Sequence, residues 1–345
     1  MLIMKAATIK TKIINPITLA VFSTKSYDKS SLSSSVTDNI AITFFESRLT
    51  LDTAKLAAGF DAICVFVNDE LNRDVLTELK SIGVKYIVLR CAGFNNLDLA
   101  ACKELGLRCA RVPSYSPEAV AEHTVALMMT LNRRIHKAYN RTKEGNFSLS
   151  GLMGFNIHGK TVGIIGTGNI GLATARIMKG FGAHVIAYDP FENNQMAESI
   201  GFEYTDLNTL LTTSDIVSLH CPLTKESHHL LNDDSISTMK TGVMIINTSR
   251  GGLVDTQSLI TNLKSGQIGN LALDVYEQES ELFFEDHSSS IIQDDVLQRL
   301  LSFPNVIITG HQGFFTAEAL EQIAVTTINN LNLFAEGKLN NNELN

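Results

Sequence analysis

Short apolar runs punctuate this chain, and between them the apolar positions fall back to a spacing of three and four. Residues 17–22, 40–45, 62–66 and 85–89 read as strands, with a helical pattern at 72–82 between two of them. A second series follows at residues 161–165, 184–188, 215–219, 243–247, 270–274 and 305–308. Strands alternating with helices predict parallel sheets with crossover helices. Two such series predict an α/β protein of two doubly wound parallel-sheet domains, Rossmann or flavodoxin-like.

Between the series, a helix is expected over residues 117–140. Ser116 suits the N-cap, Pro117 the first helical position and Glu118 the positive end of the dipole. Residues 125–131 are apolar on nearly every side, so this helix must be buried all round. A second copy of the chain or the core of one chain would serve equally. A last helix is expected over residues 316–336, with Leu320, Ile323, Ala324, Thr327, Leu331 and Phe334 on one stripe and Gly337 as its stop.

The charge balance narrows the function. A net charge of -8 without a Lys/Arg-rich run disfavours nucleic acid and weakens attraction to anionic membranes. No apolar run is long enough to span a bilayer. Cys64, Cys91, Cys102, Cys109 and Cys221 make an odd count with no C-x-x-C pair, which fits reduced thiols and a cytoplasmic location. Residues 1–16 carry Lys5, Lys10 and Lys12 and read as an extension rather than a targeting peptide, because Pro16 interrupts the apolar stretch.

Gly166-Thr167-Gly168-Asn169-Ile170-Gly171 follows the first strand of the second series and opens a helical pattern. Gly166 permits a tight turn, Gly168 lets backbone approach a pyrophosphate, and Gly171 lets helix and strand pack closely. Asp189 ends the next strand, where a carboxylate bonds ribose hydroxyls and repels a 2′-phosphate. No Arg follows in Pro190-Phe191-Glu192, so the expected cofactor is NAD.

Downstream lie a cation, an acidic loop and an imidazole, each just after a strand. Arg250 can hold a carboxylate and polarise a carbonyl. His311 can deliver a proton. A carboxylate beside that imidazole would orient it, but spacing alone does not choose among Glu277, Glu279, Glu281 and Glu285. Together these groups suit reduction of a small 2-keto acid. The other histidines, His123 among them, read as non-catalytic. His228-His229 suggests a metal, yet no nearby ligand set supports it, so none is expected.

The chain resembles the D-isomer-specific 2-hydroxyacid dehydrogenases from about Ile17 onward. The resemblance rests on Arg90-Cys91-Ala92-Gly93-Phe94-Asn95-Asn96, Val112-Pro113-Ser114-Tyr115-Ser116-Pro117, the glycine run, His220-Cys221-Pro222-Leu223, Asn247-Thr248-Ser249-Arg250-Gly251, Asp274-Val275-Tyr276-Glu277 and Gly310-His311-Gln312. Glu281-Leu282-Phe283-Phe284-Glu285-Asp286 is similar to the fermentative bacterial lactate branch. The resemblance implies Arg250, Glu279 and His311 as the catalytic set. It implies substrate contacts at Ala92, Gly93, Tyr115 and Phe314, and adds Cys221, Pro222, Thr248 and Asp274 to the cofactor contacts, Asp274 at the nicotinamide carboxamide. It further implies a substrate domain of residues 17–114 and 315–345, an NAD-binding domain of 115–314, a cleft between them, and pyruvate and D-lactate as substrate and product; a homo-oligomer, dimer or tetramer, is expected from the helix that is apolar on nearly every side. The same superfamily includes enzymes acting on hydroxypyruvate, glyoxylate or branched keto acids, and an NAD(H)-sensing corepressor branch.

Overall fold

In strand β1 (Ile17–Val21), Leu19 and Val21 belong to one apolar layer and Ala20 to the other, and all three are fully buried. Apolar residues at both parities are what a parallel strand covered on both faces requires. β2 (Ile40–Phe44), β3 (Ala62–Val65), β4 (Tyr86–Leu89) and β5 (Arg108–Ala110) complete this sheet with the C-terminal strand Glu343–Leu344. Its order is C-terminal strand, β5, β4, β3, β1, β2, and only the C-terminal strand runs antiparallel. β1 to β5 thus follow the flavodoxin-like order. The computed structural model describes residues 16–279 and 282–344. The expected extension, apart from Pro16, and Glu281 of the acidic loop lie outside the described residues.

This sheet belongs to a unit running to Tyr115 and resuming at Ala317; Ser116–Thr316 form the second unit. The second sheet contains β6 (Thr161–Ile165), β7 (His184–Tyr188), β8 (Glu203–Tyr204), β9 (Ile216–Leu219), β10 (Val243–Asn247), β11 (Ile268–Leu273) and β12 (Val306–Ile308). All are parallel, in the order β12, β11, β10, β9, β6, β7, β8. The winding reverses between β6 and β9, so the loops after these strands part at their C-terminal ends, and ligands bind at such a point.

The helix expected over residues 117–140 is two helices, Pro117–Arg133 and Ile135–Lys143. Arg134 takes a left-handed conformation (φ 52°), and its N–H bonds back to the carbonyls of Leu131 and Thr130, closing the first helix. Apolar Ile135 continues the pattern and hides the break. In the first helix Val125, Leu127, Met128 and Leu131 are buried in the layer formed by Val162, Ile164, Met178 and Ile246 of the same unit. The expected start caps are present: Ser116 accepts from the Ala119 N–H, and Pro117 sits in the first turn. The last helix spans Ala317–Ala335, burying Ile323, Ala324, Thr327, Leu331 and Phe334. β5, β8 and the C-terminal strand are too short to give a periodic signal. All five cysteines are free thiols. No helix among the described residues is long and apolar enough to cross a membrane.

Candidate active site

The glycine run does what its spacing requires. Gly166 has φ +95°, and a Cβ there would overlap the backbone of His220 and Cys221 after β9. A Cβ on Gly171 would overlap the carbonyl of Gly166, so helix and turn can meet only at glycine. Gly168 caps the helix Asn169–Gly180 with no side-chain bond to the first turn and with open space where its Cβ would lie. The N–H groups of that turn are thus presented to an anion, and the helix dipole favours negative charge there.

Asp189 closes the other side. Its Oδ2 accepts from the Thr167 N–H at 2.6 Å and the Thr167 hydroxyl at 3.1 Å, and its Oδ1 accepts from the Phe191 N–H at 2.9 Å. Asp189 therefore both shapes the glycine loop and lines a cavity of about 350 Å³. Ile165, Gly166, Tyr188, Cys221 and Pro222 line it as well. Burial pushes the Cys221 thiol up to about 11, so it stays neutral. The described lining includes Asp189 and Glu226 but neither Arg nor Lys. An apolar cavity lined by Asp189, beside an uncapped helix N-terminus, fits the adenosine and pyrophosphate of NAD and disfavours a 2′-phosphate. Thr248, also expected near the cofactor, is buried and shares a 2.8 Å hydroxyl–hydroxyl bond with Thr124.

The second group of residues is organised by Asp274. This side chain is buried, at 1% exposure. Its Oδ1 accepts from the Thr309 hydroxyl at 2.5 Å and the Gln312 N–H at 2.9 Å and lies 3.2 Å from His123 Nε2; its Oδ2 accepts from the Gly313 N–H at 2.8 Å. Burial works against its charge, but the bonds from His123, Thr309 and the Gln312 N–H outweigh it and hold the carboxyl below its ordinary value. The Asp274 carbonyl accepts the His311 N–H at 2.7 Å. Residues 309–313 are thus hung on one aspartate, and His311 is held at φ +53°, an uncommon conformation for a non-glycine residue.

His311 Nδ1 lies 2.9 Å from Glu279 Oε1, and Glu279 Oε2 accepts from the Tyr276 N–H at 2.9 Å. Both carboxylate oxygens of Glu279 are therefore engaged, and the imidazole is oriented through one nitrogen. Phe284 flanks the ring at 5.7 Å between centroids. Glu277 turns elsewhere, toward His229 and Thr256.

Arg250 follows β10 in a turn braced by buried Asn247, whose amide donates to the Arg250 carbonyl at 2.8 Å and accepts from the Ser249 N–H at 3.0 Å. The Arg250 Nη1 donates to the Ser249 carbonyl at 2.7 Å. A Cβ on Gly251 would overlap the backbone of Tyr276 and Glu277, so the Arg250 turn lies against the segment leading to Glu279. Phe314 is buried just beyond His311.

In the first unit, the Ala92 carbonyl accepts from Arg111 Nη1 at 2.7 Å, and the Gly93 carbonyl accepts from the Cys91 thiol at 3.3 Å. In a trans peptide the following N–H points the opposite way, so these contacts turn the N–H groups of this loop aside from Arg111 and Cys91. Tyr115 is half-buried at the end of the unit. His123 is the member that sequence reasoning set aside; its partner Asp274 is 151 positions away, and no local pattern announces the pair.

The second unit is a dinucleotide-binding domain by its strand order and its glycine loop. Residues 125–313 match the family model for the D-isomer specific 2-hydroxyacid dehydrogenase, NAD binding domain. The chain is 57% identical to D-lactate dehydrogenase of Escherichia coli K12, over 94% of this chain and 99% of that protein. The apo-structure of D-lactate dehydrogenase from Escherichia coli superposes with a TM-score of 0.88 at 54% identity, covering 95% of this chain and 100% of that one. The pyruvate reductase of Chlamydomonas reinhardtii gives a TM-score of 0.91 at 46% identity, covering 95% and 99%. The chain belongs to the D-isomer-specific 2-hydroxyacid dehydrogenase family, as the sequence motifs implied.

Proposed function

We propose that this chain is an NAD-dependent D-lactate dehydrogenase that reversibly reduces pyruvate to D-lactate in the cytoplasm. The observation that carries the reading is the 2.9 Å contact of His311 Nδ1 with Glu279, held at the end of a dinucleotide-binding sheet. With Nδ1 turned to the carboxylate, Nε2 is the nitrogen left to give a proton to the substrate oxygen. Glu279 fixes the ring and balances its positive charge until transfer. The Arg250 guanidinium holds the substrate carboxylate and draws electron density from the carbonyl. Phe314 lines the methyl side, Tyr115 contacts the substrate, and the N–H groups at Ala92 and Gly93 take its carboxylate. The dinucleotide, when bound, supplies the hydride that reaches C2. Gly166, Thr167, Gly168, Asn169, Ile170 and Gly171 hold its pyrophosphate. Asp189 holds its ribose, and Cys221, Pro222, Thr248 and Asp274 border the rest of it.

The test is loss of NADH absorbance on adding pyruvate, run beside hydroxypyruvate, glyoxylate and branched keto acids. Pyruvate should give the highest kcat/KM. No turnover of any 2-keto acid would overturn the reading and leave the NAD(H)-sensing alternative.

Cofactor choice gives a second test. Asp189→Ser removes a charge-assisted bond, a loss of about 1.5–3 kcal/mol. The NAD over NADP preference in kcat/KM should fall by about tenfold or more. An unchanged preference would remove Asp189 from the ribose site.

We also propose that the chain self-associates through residues 135–153. Ile135, Tyr139, Phe147, Leu149 and Met153 are 52%, 59%, 75%, 82% and 91% exposed. An apolar series this exposed within one short segment marks an interaction surface. Sedimentation should show an oligomer at micromolar concentration, and Phe147→Ser with Leu149→Ser should shift it toward monomer. A wild-type monomer would refute the assignment.

A further inference from the structure

We infer that His228, His229 and Glu277 form a binding site for zinc or a similar divalent transition metal on the dinucleotide-binding unit. The inference does not depend on the substrate assigned above. The sequence shows only two adjacent histidines; the fold supplies a carboxylate 48 positions downstream, with His229 Nε2 at 2.7 Å from Glu277 Oε1. One ligand atom from each of the three residues lies within 4.8 Å of the others. The two imidazoles are stacked with centroids 3.8 Å apart.

Two of the three ligands are held from behind. Glu277 Oε2 accepts from the Thr256 hydroxyl at 2.8 Å, which leaves Oε1 to face the histidines. The His229 N–H donates to the Gly252 carbonyl at 2.9 Å, and the His229 carbonyl accepts from the Asn232 amide at 3.1 Å. These bonds hold His229 at φ +51°, in the left-handed region. Such outer contacts orient ligands in metal sites. Zn–N and Zn–O bonds run about 2.0–2.2 Å. An ion therefore needs His229 and Glu277 to part slightly and the exposed His228 ring to turn inward. Two imidazoles and one carboxylate make a donor set that suits zinc, copper, nickel or cobalt and not magnesium or calcium. Solvent completes the coordination on the exposed side.

The alternative is an ion pair of His229 with Glu277, beside which His228 merely stacks. Calorimetric titration of the metal-stripped full chain separates the two. One Zn²⁺ per chain should bind, and Mg²⁺ should give no heat. His228→Gln keeps the ion pair and removes a ligand, so Zn²⁺ affinity should fall at least tenfold; Glu277→Gln should do the same. His311→Gln should leave the titration unchanged. Absence of Zn²⁺ binding would overturn the site. So would an affinity untouched by His228→Gln, or binding lost only in His311→Gln.

Discussion

His311→Gln should lower kcat by about 10²–10⁴-fold, the usual contribution of a positioned acid or base. Gln keeps a polar group near Glu279 and can still donate a hydrogen bond, but it cannot transfer a proton. The backbone of residue 311 is held by Asp274 and Thr309 and not by its own ring. The loop should therefore survive, and NADH binding should change little. The left-handed φ at this position is costlier for Gln than for His, which adds modest local strain. Stopped-flow absorbance with saturating NADH measures the step, and the change in NADH's own fluorescence measures cofactor binding. Turnover near the wild-type rate would rule out proton donation by His311. Glu279→Gln makes a weaker companion: the ring keeps a partner but loses the charge that balances its protonated form.

Much of this arrangement was legible in the sequence because its determinants are local. β6, β7 and β10 are apolar on both faces, and that pattern sets them apart without reference to the rest of the chain. Gly166 is needed by the left-handed φ of the turn itself and Gly171 by a contact within that same turn, so their spacing encodes much of their geometry. What escaped notice depends on distant partners. Spacing did not separate Glu279 from Glu277, since both lie in one acidic loop; the fold separates them by sending one to His311 and the other to His229 and Thr256. His123 reads as an ordinary helical histidine until Asp274 is brought beside it. The break at Arg134 escaped because the apolar pattern continues through Ile135, while the left-handed turn is made by backbone bonds alone.

Arg250→Gln should lower kcat/KM for pyruvate by on the order of 10³-fold. Two losses combine. The substrate carboxylate loses its paired cation, and truncating one member of a desolvated charge pair costs about 2–5 kcal/mol. The carbonyl also loses its polarising donor, which acts most strongly as negative charge develops on the oxygen and is worth about 10²–10³ in kcat. The two do not add fully, because one guanidinium serves both. The pattern distinguishes this variant from His311→Gln: KM for pyruvate should rise while kcat falls, whereas loss of the proton donor acts on kcat. Arg250→Lys should fall between wild type and Arg250→Gln, since it restores charge without the planar fork. The turn should hold in both variants, because Asn247 braces it through the Arg250 carbonyl and the Ser249 N–H, neither of which is changed. Steady-state kinetics across pyruvate concentration, with thermal unfolding as the control for folding, settles it. A KM within twofold of wild type in Arg250→Gln would mean that another group holds the carboxylate.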